Sequence, residues 1–121
     1  MTTLNLDQTL ALVTTTLDDL KAKNITTLEI EHLTEIAERI VICEATSKRH
    51  VKALADKLGA ATKEAGLMPL GREGDKDSDW ILVDLGAVVV HIMTPQARAF
   101  YDLEGLWSSP DALKALVAQK D

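Results

Sequence analysis

Trp80-Ile81-Leu82-Val83-Asp84-Leu85 and Val88-Val89-Val90-His91-Ile92-Met93 are two strongly strand-forming runs joined through Gly86-Ala87. β-Branched and aromatic side chains fit a pleated surface, so each run reads as a strand. A connection this short cannot cross over a sheet and requires an antiparallel hairpin. This hairpin is expected to build the centre of the sheet. Before it, Met68-Pro69-Leu70-Gly71-Arg72-Glu73-Gly74 has room for a short strand. Proline removes a ladder donor, which places that strand at an edge.

Further upstream, Ile40-Val41-Ile42-Cys43 is β-branched and continuously apolar, as a strand covered on both faces must be. It should be central. Thr46 and Ser47 supply capping hydroxyls for a helix whose inner stripe is Val51, Leu54, Ala55, Leu58 and Ala61-Thr62. Gly66 closes that helix, with Leu67 beyond it. A strand leading directly into a capped helix suggests a parallel crossover.

At the start of the chain, Leu6, Leu10, Val13, Leu17 and Leu20 recur at steps of four and three, one stripe of an amphipathic helix. Asn5 and Gln8 form a capping-box-like start, and Asn24 can take the left-handed closing conformation, so a helix is predicted over about 5–23. Thr27-Leu28-Glu29-Ile30-Glu31-His32 then alternates with period two: Leu28, Ile30 and His32 share one face, and Thr27, Glu29 and Glu31 share a wet one. After the hairpin, Thr94 caps and Pro95 opens a helix reaching roughly Leu106. Ser109-Pro110 repeats the device for a last short helix over about 110–120. The expected class is α/β: a single domain over residues 1–121 with a mixed central sheet flanked by helices.

Composition bounds the function. The 121 residues are 46% hydrophobic, enough for one domain with a real core. No stretch approaches the roughly 18 apolar residues of a membrane span, and no basic segment leads into an apolar run near Met1, so a cytoplasmic protein is expected. The single Cys43 lies inside an apolar run, which reads as a buried, inert thiol in a reducing compartment. With 13 Lys+Arg against 19 Asp+Glu the net charge is −6. Phosphate backbones repel such a surface, so little direct nucleic-acid contact is expected. A basic protein partner is compatible with it, although acidity also serves solubility.

The search for chemistry finds little. Asp75, Asp77 and Asp79 stand at alternate positions, as in a calcium loop, but Trp80 replaces the sharp-turn glycine and Gly86 replaces the closing glutamate. No metal is expected there. Glu29 and Glu31 on one strand face could hold magnesium in a nucleotidyltransferase-like enzyme, which is the alternative reading of the chain. No glycine-rich phosphate cradle accompanies them. His32, His50 and His91 have no metalloprotease spacing, and no serine sits in a nucleophile elbow. Trp80 reads equally as core or as the anchor of an interface.

Taken together, Ala45-Thr46-Ser47-Lys48-Arg49-His50-Val51, Ala53-Leu54-Ala55-Asp56, Glu73-Gly74, Asp79 to Gly86, Val88-Val89-Val90-His91, Phe100 to Glu104 and Leu106-Trp107 resemble the bacterial ribosomal silencing factors (RsfS, or Iojap-like proteins) in order and spacing. The likeness covers about residues 5–108. It implies a nucleotidyltransferase-like topology without catalytic residues, no cofactor and no enzymatic activity. It implies binding to the large ribosomal subunit through ribosomal protein fourteen, steric exclusion of the small subunit, and repression of translation under nutrient limitation. It also implies a homodimer when free. Carried over by position, the ribosomal-protein-binding residues are Trp80, Ile81, Leu82, Asp84, Leu85 and Gly86. Three positions depart from the usual pattern: Ala87 where aspartate is common, Ala45 where glycine is common, and Glu38 where aspartate is common. Only Ala87 touches the expected surface.

Overall fold

The computed structural model describes residues 4–30, 37–74 and 79–101. Its elements are α1 (Leu6–Asp19), β1 (Lys23–Glu29), β2 (Arg39–Glu44), α2 (Lys48–Glu64), β3 (Gly71–Glu73), β4 (Trp80–Asp84), β5 (Val88–Met93) and α3 (Pro95–Tyr101). The five strands form one mixed sheet in the order β1-β2-β5-β4-β3. β2 and β5 run parallel and the other three pairs are antiparallel. β5 is therefore the middle strand, with all six of its residues buried. The single α/β domain, the hairpin, the short edge strand β3 and the interior β2 are as the sequence predicts. The expected helix over 110–120 lies outside the described residues.

α1 begins as the capping pattern predicts. The Asn5 side chain accepts the Gln8 amide at 2.8 Å, and the Gln8 side chain accepts the Asn5 amide at 3.0 Å. Its end differs from expectation: the helix stops at Asp19, about four residues early. Lys21, at φ 63, makes the left-handed reversal. Its amide bonds to the Asp18 carbonyl at 2.9 Å, and the Ala22 amide bonds to the Leu17 carbonyl at 3.0 Å. These two bonds are the Schellman closure. Asn24 is also left-handed, at φ 51, but it serves the irregularity where β1 pairs with β2. β1 consequently starts before the predicted Thr27, while Glu31 and His32 lie outside the described residues.

The register assigns every strand residue to one of two faces, because directly opposed residues point the same way. One face carries Ile81, Val83, Val41, Cys43, Val88, Val90 and Ile92, each at most 1% exposed. Against it pack Val13 and Leu17 of α1 and Val51, Leu54, Ala55 and Leu58 of α2, in one continuous cluster. The other face carries Leu28, Ile40, Ile42, Val89, His91, Met93, Trp80, Leu82 and Asp84, and α3 enters its cluster through Ala97. We call these the two-helix face and the α3 face. Among the described residues, no helix is long and apolar enough to cross a membrane.

Candidate docking site

β4 presents its side chains alternately to the two faces, and this divides the six residues singled out from the sequence. Trp80, Leu82 and Asp84 lie on the α3 face and are half-buried. Ile81 and Leu85 point the opposite way, into the two-helix core, at 0% and 5% exposure. Ile81 and Leu85 are thus turned away from the face that carries Trp80, Leu82 and Asp84. They hold β4 down from beneath. Gly86 occupies the hairpin turn with φ 90. Ala87 is not left-handed, so the positive φ falls on the first central residue alone, the pattern of a type II′ turn that favours glycine.

Polar atoms of the site are largely engaged within the fold. Asp84 Oδ1 accepts the Gly86 amide at 2.9 Å, which closes the turn from the side. The Trp80 indole Nε1–H donates to His91 Nδ1 at 3.0 Å. Leu82 sits directly opposite His91, and Trp80 opposite Met93. The result is a strip along β4 of indole, isobutyl and carboxylate, with Trp80 and Leu82 packed against the core of the α3 face. Trp80 is therefore part of the core of this face and also part of its accessible surface.

Two further constellations were not singled out from the sequence. Arg98 of α3 reaches across to the β1–β2 edge, donating to the Asn24 carbonyl at 2.6 Å, Thr26 Oγ1 at 2.9 Å and Glu44 Oε2 at 3.2 Å. Asn24 Nδ2 completes the group by donating to Glu44 Oε1 at 3.1 Å. This clamp fixes α3 over one side of its face. At the same end of the sheet but on the two-helix face, His50 Nδ1 accepts the Thr46 amide at 2.9 Å, so its Nε2 is the donor to the Leu20 carbonyl at 2.7 Å. That bond ties the start of α2 to the end of α1. Nothing in residue spacing signals the bonds made by Arg98 or the His50–Leu20 bond, since those partners are 30 to 74 residues apart.

Cys43 is fully buried, and burial pushes its thiol up to about 12, so it is held neutral and non-nucleophilic. Glu29 lies 3.4 Å from the Arg39 guanidinium, a salt bridge across the β1–β2 edge. Its proposed metal partner Glu31 lies outside the described residues, as do Asp75 and Asp77. No cluster of three potential metal ligands occurs among the described residues.

Comparison with known proteins identifies the family and the fold. Residues 3–121 match the family described as ribosomal silencing factor during starvation, RsfS. The ribosomal silencing factor RsfS of Chromobacterium violaceum is 41% identical over 104 residues, covering 86% of this chain and 85% of that protein. A mouse protein named for mitochondrial assembly of the ribosomal large subunit is 31% identical over 104 residues, covering 81% of this chain but 46% of that protein. A crystal structure of a Chromobacterium violaceum protein superimposes with a TM-score of 0.84 at 39% identity, covering 88% of both chains. With the family match spanning residues 3–121 and the Chromobacterium violaceum factor matched over 85% of its length, the chain belongs to the RsfS family of ribosomal silencing factors.

Proposed function

We propose that this silencing factor binds the large ribosomal subunit through ribosomal protein fourteen and excludes the small subunit sterically, repressing translation when nutrients are scarce. The observation that carries this reading is the β4 strip, where half-buried Trp80 and Leu82 lie beside the carboxylate of Asp84 on one face. An aromatic anchor with an aliphatic neighbour supplies desolvated area, and an acidic rim suits a basic ribosomal protein. The net charge of −6 favours the same class of partner over bare RNA. The name of the mouse relative directs the reading to the large subunit. The contact set narrows to Trp80, Leu82 and Asp84 with the Gly86 turn, while Ile81 and Leu85 act from below.

Occlusion needs no cofactor and no turnover, only a folded body held where the small subunit would sit. We place the factor in the cytoplasm, and when free as a homodimer, whose mass in light scattering would be twice 13.2 kDa. The reading is tested by sedimenting purified protein with isolated large subunits and then adding small subunits. Co-sedimentation and reduced formation of joined ribosomes are expected, and failure of both sinks it. Trp80→Ala should weaken large-subunit binding by about 2 kcal/mol or more while the protein stays folded.

A further inference from the structure

Building on the reading of Trp80 as the docking anchor, we infer that His91 is a positioning residue for that contact, holding the indole in its docking pose through its Nδ1 lone pair. His91 is the one polar side chain of β5, whose other five residues are aliphatic or Met. It lies on the middle strand and is 5% exposed, so it is poorly placed to touch a macromolecular partner itself. Leu82 lies directly opposite it on β4, and Ile42 is its partner on β2. A ring packed between two neighbours on a central strand is a rigid support.

The geometry couples that support to the anchor. Trp80 is paired with Met93, so His91 is its diagonal neighbour on the same face of an antiparallel pair, within reach of a long aromatic side chain. The indole N–H lies 3.0 Å from Nδ1, with ring centroids 5.7 Å apart and planes tilted by 39°. An indole has one donor and no acceptor, so Nδ1 must be unprotonated and Nε2 must carry the hydrogen. An aliphatic residue at position 91 would fill the volume but take this acceptor away from a half-buried N–H and loosen the orientation of the indole. Ordering an anchor before it binds removes part of the entropy loss on association. This gives a physical reason for an imidazole inside an otherwise apolar strand.

The test uses the full chain and isolated large subunits at one fixed salt concentration. His91→Leu should bind roughly three- to tenfold more weakly, the equilibrium worth of one hydrogen bond. His91→Asn, whose Oδ1 can stand where Nδ1 stood, should recover most of that loss. The Nε1–H resonance of Trp80, assigned by its disappearance in Trp80→Phe, should shift and exchange faster in His91→Leu and return towards its original position in His91→Asn. Should His91→Leu fail to fold, Trp80→Phe removes the donor from the other side and should weaken binding comparably. In a double-mutant cycle the His91 and Trp80 substitutions should be non-additive. Wild-type binding by folded His91→Leu with an unmoved indole resonance overturns the inference, as does strict additivity. If Trp80→Ala itself binds like the wild type, the docking reading falls, and the indole resonance alone then decides whether His91 positions Trp80.

Discussion

The two faces of the sheet are built from different materials. On the two-helix face, α1 and α2 of 14 and 17 residues cover an aliphatic surface whose central residues are fully buried. The α3 face meets a helix of 7 described residues, and its order depends on directed polar contacts: Trp80 to His91, and Arg98 to Asn24, Thr26 and Glu44. Non-directional burial stabilises, but it leaves nothing for a partner to recognise. Hydrogen-bonded aromatic and charged groups add less to folding and more to specificity. With complete burial concentrated on one side, the other keeps Trp80, Leu82 and Asp84 half-buried.

The comparison breaks most readily on the two-helix face. Leu58→Ala removes a fully buried side chain between α2 and the sheet and should lower unfolding free energy by about 2–5 kcal/mol in urea titrations. The folded fraction should still bind large subunits. A cost under about 1 kcal/mol would show that this face is not the main source of stability. Next in size, Arg98→Met empties the clamp at a site where the paired side chains are 11% and 19% exposed. About 2 kcal/mol should be lost, because Glu44 is left with only Asn24 among its clamp partners.

A smaller effect of opposite sign sharpens the contrast between the two covering helices. Both end in the same Schellman closure, but α2 uses Gly66 at φ 89 and α1 uses Lys21 at φ 63. Lys21→Gly should therefore stabilise by up to about 1 kcal/mol, read as a raised urea midpoint, since glycine enters the left-handed region without steric cost.

The smallest effect falls on the rim of the two-helix face, where Lys52 and Arg72 flank Asp56 at 2.6 and 2.8 Å. Hydrogen bonds from Lys52, then Arg72, hold its carboxyl below the ordinary 3.8. A lowered folded value means stability present above pH 3.8 and lost as the pH falls further, through the folded value. Asp56→Asn should thus cost under about 1 kcal/mol at neutral pH, an exposed-pair magnitude, and the difference from wild type should vanish in acid.

Much of the frame was legible because it rests on local pattern. The Asn5–Gln8 box, the Ser47 cap, the Gly86-Ala87 hairpin and the apolar run Ile40 to Cys43 within β2 all act within a few residues of themselves. The end of α1 was misjudged because Asn24 is the better left-handed residue, so the local signal points there. The reversal occurs instead at Lys21, where His50 captures the Leu20 carbonyl and Ala22 is buried. The early start of β1 has a similar origin, since Asn24 and Thr26 are held by Arg98, more than seventy residues away. Along β4 the division of side chains was legible in the sequence: the two-residue period that makes β4 a strand also sends Ile81 and Leu85 to the face opposite Trp80 and Leu82.

By itself, then, the sequence determined the elements, the hairpin and the family, because hydrophobic period, capping chemistry and turn geometry are properties of neighbouring residues. The tertiary structure alone decided which half of the hairpin is turned outward, what holds the Trp80 indole, and where α3 is anchored. Those outcomes depend on strand register and on hydrogen bonds closed across the sheet, which exist only once distant segments have met.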